Sequence, residues 1–393
     1  MSVAFFDSPS IHFGLLPLTY TRPACRLRIG VLTIEEKWVG LLGPVVGYYA
    51  GASYLNKKYP SPISIANWVI AGSLLPNEDL LEEIKALKPG QVLADNGQFL
   101  AANTIDPAYW EQCERLAAQS SYVQLHHTWD LFLHNGQEIR HDVDRLTNGR
   151  KSEPLPDPYT TVYAKENLFI EAGVRIKAAV LNAEDGPIYL GKNSQVMEGA
   201  LIRGPFALGE GSQVSMGAKI RGDTTIGPHC RAGGEITNSI MIGYSNKGHE
   251  GYLGNAVLGE WCNLGADTNN SNLKNNYAEV KMWDYASRHF VPTGLQFCGL
   301  IMGDYSKCSI NTMFNTGTTV GVFANIFGTG FPRNLIPSFG WGGESGFSTY
   351  RISKALETAE RVLERKGQQL TEVDRELLTS VFQITADERP WEN

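Results

Sequence analysis

From Leu190 an aliphatic residue returns at every sixth position: Leu190, Val196, Ile202, Leu208, Val214, Ile220 and Ile226. A second unbroken series runs through Met302, Cys308, Phe314, Val320 and Ile326. Glycine follows several of these directly, at Gly191, Gly209, Gly227, Gly303 and Gly321. An α-helix cannot generate this spacing, because six residues advance it about 1.67 turns. Simple strand alternation does not single out every third alternating position either. A short parallel strand and a tight turn, repeated with one inward residue per unit, does. Three such units close a triangular coil, and coils stack through ladder hydrogen bonds. Glycine at the corners permits backbone conformations that a β-carbon resists.

The register lapses around residues 232 to 257, and Leu258-Gly259 and Leu264-Gly265 then return six apart. Such a lapse predicts a loop inserted into the solenoid, where function often resides. Residues 1–160 read instead as α/β. "VAFFD" predicts a short strand, "NEDLLEEIKAL" (77–87) a helix, and "GQVLADNGQFLAAN" a hairpin turning at Asn96-Gly97. "TNGRKSEPLPDPYT" (147–160) reads as a linker, with Pro154, Pro156 and Pro158 alternating. After the second series, "IPSFGWGGESGFSTY" reads as a loop. Two amphipathic helices follow, the second opened by Thr371 with Asp374 in a variant of the capping box, and they are expected to cap the open end of the solenoid. The expected domains are 1–160, an α/β domain ending in the Pro-rich linker; 161–335, the β-helix with loop insertions; and 336–393, a loop and helical cap.

Composition narrows the classes. A chain of 393 residues with 42% hydrophobic content supports more than one core and excludes a disordered chain. Its net charge of −7, with no block of like charges, excludes a nucleic-acid stripe and a polybasic membrane anchor. The N-terminus has neither a basic leader nor a long apolar run. Six cysteines form no C-x-x-C pair, which reads as reduced thiols and a cytoplasmic setting. His126-His127 lacks a third ligand at supporting spacing, so no metal site is expected there.

The lapse itself reads "NKGHEGYLGNAVLGEWCNLGADTNNSNLKNNY", residues 246 to 277. This segment resembles the acetyltransferase half of the bifunctional N-acetylglucosamine-1-phosphate uridyltransferase/glucosamine-1-phosphate N-acetyltransferase family. There a His precedes Tyr-Leu-Gly, an Asn-Ile-Gly-Ala segment and a later Asn, which fall here on His249, Tyr252-Leu253-Gly254, Asn263-Leu264-Gly265-Ala266 and Asn272. The family's upstream Lys-Lys pair is replaced by "EITNSI", with Thr237 where a lysine would stand. The resemblance implies His249 as general base and Tyr252, Asn263 and Asn272 as substrate-binding residues, with Lys274 and Arg221 available to a phosphate. That role suits the chemistry: acyl transfer from a thioester to an amine requires the amine to lose a proton, and imidazole titrates near neutrality. Architecturally the repeat is similar to the hexapeptide-repeat transferases. That likeness implies a left-handed parallel β-helix, a homotrimer, and acetyl-CoA as donor in grooves between neighbouring prisms. Ala200, Ala218 and Met313 are then expected on the flat faces.

"LLPLTYTRPACRLRIGVLTIEEKW" (15–38) resembles a phrase of sugar nucleotidyltransferases. In that family it follows a G-x-G-T-R loop that cradles phosphates and contains Pro-Lys. This chain offers Gly14 alone and Pro23-Ala24, leaving Arg22, Arg26 or Arg28 to supply positive charge for a nucleotide. Mg²⁺ would accompany such an activity, with Asp7 and Asp95 as candidate carboxylates. Taken whole, the chain resembles the bacterial family of sugar nucleotidyltransferases related to the bifunctional enzyme. The expected fold class is mixed: a divergent α/β N-terminal domain, a central left-handed parallel β-helix and C-terminal α-helices. The leading functional expectation is acyl-CoA-dependent acetyl transfer to an amino sugar, its partners being sugar phosphates or nucleotide sugars, with no nucleic acid and no membrane. The alternatives are sugar-1-phosphate nucleotidyl transfer, thymidylyltransferase-like or UDP-N-acetylglucosamine pyrophosphorylase-like, and a non-catalytic sugar-nucleotide-binding trimer.

Overall fold

A computed structural model describes residues 2–392. Two compact units divide the chain: the residues up to Leu27 with Leu32–Thr128, and Arg28–Val31 with the residues from Trp129 onward.

The first unit is built on a six-stranded sheet in the order Val45–Tyr49, Val3–Phe6, Trp68–Ala71, Gln98–Asn103, Gln91–Asp95, Glu114–Ala117. Val3–Phe6 runs parallel to both neighbours, and Val3, Ala4 and Phe5 are buried. The hairpin turns at Asn96-Gly97, both with positive φ (48° and 77°), as the Asn-Gly pair requires. Its helices are α1 (Pro9–Gly14), α2 (Ile34–Leu42) and α3 (Glu78–Ala86). Asn77 caps α3 by accepting from the Leu80 N–H at 2.8 Å, and Leu80, Leu81 and Ile84 form its buried stripe.

The second unit joins α4 (Asp130–Thr147) to a parallel β-solenoid of about ten turns with three faces. The first face runs from Leu168–Ile170 to Leu335–Ile336 and the second from Arg175–Ile176 to Gly340–Gly343. The third runs from Thr161–Tyr163 to Tyr252–Gly254, followed by the separate pair Asn269–Asn270 and Met313–Phe314. Leu190 pairs with Leu208, and Leu208 with Ile226, so one regular coil spans three hexads. Every residue of both six-residue series lies in one buried core. The hexad is the signature of that core because every short strand turns a side chain inward at the same position, and first-face strands add a second, as Phe206 does beside Leu208.

The lapse at 232–257 has a different cause from the one expected. No loop is inserted there; the strands stay in the same three faces while the corners shorten. Ala232 pairs with Lys247 and Ile226 with Met241, fifteen residues apart instead of eighteen. The insertion comes later, between Asn270 and Leu300, where Lys281–Asp284 and His289–Pro292 form an antiparallel hairpin. Leu258 is therefore paired with Met302.

Three further expectations are corrected. Residues 340–349 are a hairpin and not a loop: Gly340–Gly343 continues the second face, and Gly346–Thr349 pairs antiparallel to it, covering its edge. Ala200 and Ala218 do not sit on the flat faces; both are fully buried in the core, while Met313 is partly exposed. Of the C-terminal helices, α5 (Ile352–Glu364) lies alongside the middle coils, and α6 (Glu372–Ile384) packs against the last one. Lys366, just beyond α5, reaches the His229 carbonyl of a middle coil, and Phe382 of α6 packs edge-on against Phe339 (centroids 5.0 Å apart). The capping box of Thr371 and Asp374 is present as expected.

Helix α4 covers the first face, packing Ile139 and Val143 against Phe169, Tyr189 and Ala207. It approaches so closely that a β-carbon at Gly136 would stand 1.9 Å from Asp223 Oδ1. Arg28–Val31 is tied to the same unit: the Gly30 N–H donates to Asn135 Oδ1 (2.8 Å), and Thr225 Oγ1 donates to the Gly30 carbonyl (2.9 Å).

A basic groove on the second face of the solenoid

Parallel register stacks the outward positions of the second face in a column: Gln195, Gln213, Arg231, Asn246, Asn263 and Lys307. Such a column carries the same position of each coil in turn, so its chemistry changes only when one coil changes residue. Helix α5 forms the opposite wall. Ala355, Ala359 and Leu363 are its buried stripe, while Thr358, Arg361, Val362 and Arg365, at helical spacing on another face, line the groove. The groove has a volume of about 970 Å³, near the upper end of the roughly 300–1,000 Å³ usual for small-molecule sites.

His249 and Asn263 line this groove together, with Gly265 and Ala266. His249 is exposed, and its ring makes no hydrogen bond to another described residue. Its backbone is held from inside. Lys247 occupies an inward position, in line with Ala232, where other coils carry aliphatic residues. Its ammonium donates to the carbonyls of His249 (2.6 Å) and Glu250 (3.0 Å). Burial lowers its pKa to about 8, with Glu250 and Asp267 opposing the shift. Gly251 completes the corner with φ 110°, and a β-carbon there would meet the Thr268 carbonyl oxygen at 2.2 Å. Lys247 escaped the sequence reading because the shortened corners hide its hexad position.

The other expected residues lie elsewhere. Tyr252 belongs to the third face, and Asn272 donates to its hydroxyl (3.0 Å) and to Asn255 Oδ1 (2.7 Å). Both amide protons of Asn272 are thus used within the protein. Arg221 is exposed and sits 3.6 Å from Glu235. Lys274 donates to the Glu279 carbonyl (2.7 Å) and lines a separate cavity with Lys281 and Arg333. Of the substrate-binding set, only Asn263 shares the groove with His249.

A column of rings runs down one corner of the solenoid, each residue left-handed in φ: His229, Tyr244, Trp261, Tyr305, Phe323 and Phe339. Successive rings stack with centroids 4.3 to 6.3 Å apart. Tyr244 and Trp261 of this column also belong to the groove lining.

In the first unit, the chain leaves the strand Val3–Phe6 through Asp7 and enters α1, capped by Ser8. Arg22 is buried and contacts Thr21 Oγ1 at 3.4 Å, and Arg26 is paired with Glu35 at 2.7 Å. Asp7 Oδ2 accepts from the Ala24 N–H (2.7 Å), while its Oδ1 is buried without a hydrogen-bond partner. Asp95, the other candidate carboxylate, accepts from Tyr122 and Asn96 at the hairpin end. These residues do not fit a divalent cation. Asp7 is desolvated and stands without a second carboxylate, since Glu35 is committed to Arg26 and Tyr48. Among the described residues no group of three or more His, Cys, Asp or Glu is placed to hold a metal ion. No helix among them is long and apolar enough to cross a membrane.

Burial raises the Asp7 pKa from 3.8 to about 7, against the Ala24 hydrogen bond that lowers it. The folded state therefore holds a proton that the unfolded chain releases, and its stabilising effect is complete below about pH 4 and lost as pH rises through about 7. Stability of the wild type against thermal unfolding is expected to fall as pH rises across that window, by up to about 1.4 kcal/mol per pH unit. Asp7→Asn should flatten the slope; an unchanged slope in the variant would show that Asp7 is ionised in the fold.

Coil register, an outward polar column and a flanking helix define a β-solenoid with a ligand-sized groove. A sequence profile described as "Sugar nucleotidyl transferase" matches residues 3–151. A stretch of 87 residues, 22% of this chain, is 32% identical to the bifunctional protein GlmU of Methanocaldococcus jannaschii, covering 21% of that protein. Another of 93 residues, 24% of this chain, is 29% identical to a bifunctional sugar-1-phosphate nucleotidylyltransferase/acetyltransferase of Sulfurisphaera tokodaii, covering 23% of it. The aligned stretches thus span under a quarter of the length of these relatives. Among solved structures, the polySia-specific acetyltransferase NeuO aligns with 52% of this chain and 99% of its own, at 14% identity and a TM-score of 0.29. An Arabidopsis UDP-N-acetylglucosamine acyltransferase aligns with 60% and 92%, at 15% identity and a TM-score of 0.23.

Proposed function

We propose that the protein is an acetyl-CoA-dependent transferase acting on an amino sugar, free, phosphorylated or nucleotide-linked, with His249 as general base. The carrying observation is that His249 and Asn263, fourteen residues apart in the chain, line one groove of ligand size. The imidazole of His249 takes the proton of the attacking amine. The amide of Asn263 can donate to the carbonyl oxygen as negative charge develops on it. Lys247 holds the two carbonyls that fix the corner carrying His249. Tyr252, Asn272, Lys274 and Arg221 form no common site with His249 and are not needed for this step. A homotrimer in the cytoplasm belongs to the same proposal, on the resemblance alone. Release of CoA from acetyl-CoA over a panel of amino sugars tests the activity. Binding of sugar nucleotides with no CoA release from any acceptor would favour the non-catalytic alternative.

A second reading, sugar-1-phosphate nucleotidyl transfer by the first unit, is favoured by the profile match at residues 3–151. The geometry there works against turnover: a helix, α1, follows Asp7, Arg22 is buried and Arg26 is paired. No pyrophosphate release is expected from the four common nucleoside triphosphates with sugar phosphates and Mg²⁺. Release above background would make the first unit a working transferase.

A further inference from the structure

The chain carries a net charge of −7, yet five cations converge on the groove and, among the described residues, no carboxylate lines it. Arg231 and Lys307 project from the second face of the solenoid, Arg361 from α5, and Arg365 and Lys366 from the two residues that follow it. Cations near a helix C-terminus complement its dipole, which accounts for the α5 residues on their own. It does not account for Arg231 and Lys307, which come from coils 76 residues apart in sequence and meet α5 only in the fold.

We propose that the groove binds the phosphoanhydride of a nucleotide-type donor between the sheet cations Arg231 and Lys307 and the helix cations Arg361, Arg365 and Lys366, so that a single chain supplies both walls. This rests on the acyl-transfer reading only for the donor's identity.

The cations are partly desolvated and lie close to one another. Lys307 donates to the carbonyls of Trp261 (3.4 Å) and Tyr305 (3.1 Å), which leaves one of its three N–H groups for an anion. Burial lowers the pKa of Lys307, and Lys366 is lowered by burial and then by Arg231 and Arg365. A phosphoanhydride relieves that repulsion and accepts hydrogen bonds from guanidinium and ammonium groups alike. Arg361 also pairs with Glu357, but its side chain is 75% exposed, so the pair is weak and readily exchanged. The rest of the groove suits the remainder of such a donor, with Val362, Leu264 and Ile310 apolar and His249 and Asn263 in the same lining. In this reading α5 takes the place that a neighbouring prism has in the resembling transferases.

The test is calorimetric titration of the full chain with inorganic pyrophosphate, CoA and UDP, at low and at moderate salt. At least one of CoA and UDP is expected to bind, pyrophosphate to compete with it, and affinity to fall as salt rises. Arg365→Glu should weaken binding at least about tenfold, Arg365→Gln less, and Lys219→Glu, an equal charge change on the third face, less than about twofold. CoA binding without UDP identifies an acyl donor; UDP binding without CoA identifies a nucleotide sugar; either supports the groove. Binding with no CoA release from any acceptor removes the acyl reading and leaves this one standing. No binding of any of the three, or equal affinity in Arg365→Glu and the folded wild type, overturns it.

Discussion

Replacing His249 by alanine is expected to lower acetyl transfer by at least about a hundredfold, the lower end of what a positioned general base contributes. The loss should fall on kcat and leave the KM for acetyl-CoA near its wild-type value, because the cations proposed to bind the donor are other residues. Structural damage is not the expected cause, since the His249 ring is exposed and holds no other described group. The corner is fixed by its carbonyls, which Lys247 still meets in the variant. Full activity in the variant would end the assignment of His249 as base, whatever the groove binds.

Stability offers the second large effect. Phe206→Ala removes a fully buried ring that stands on the first face between Ile188 and Thr224, inside the solenoid core. The coils above and below are locked by ladder hydrogen bonds and cannot collapse far into the space. A loss of about 3–5 kcal/mol is therefore expected for the second unit, read from denaturant midpoints. Met216→Ala, at 64% exposure on a corner, should change stability by no more than about 0.5 kcal/mol. Comparable losses in the two variants would contradict a unit held together by its inward side chains.

Local residues sufficed for the solenoid because its period is local. An inward side chain at the same position of every short strand writes itself into the sequence every six residues, and Leu190 through Ile226 carry it without a slip. The Asn96-Gly97 hairpin, the Asn77-capped helix and the Thr371–Asp374 capping box were legible for the same reason: each depends on contacts within a few residues. The site was legible only in part. His249 and Asn263 were found by a motif, and their common groove follows from coil stacking. Asn272 and Tyr252 look like members of the same motif, but strand direction turns them onto another face, where they bond to each other. Lys247 was hidden because corners shortened by a few residues break the period that would have marked it as inward.

What only the tertiary structure decided is which distant segments share a surface. Arg231, Lys307 and Arg361 are separated by long stretches of chain, and no period links a solenoid corner to a helix packed along it. Helix α5 announces its buried stripe in its spacing, but the partner of its basic face is set by where the chain returns after the last coil. Likewise, nothing in the residues around Ala200 and Ala218 says whether a small side chain faces a neighbour or the core; coil register alone turns them inward. Periodicity records how each residue meets its own coil. Contacts between elements far apart in sequence leave no such record, and the groove is made of those.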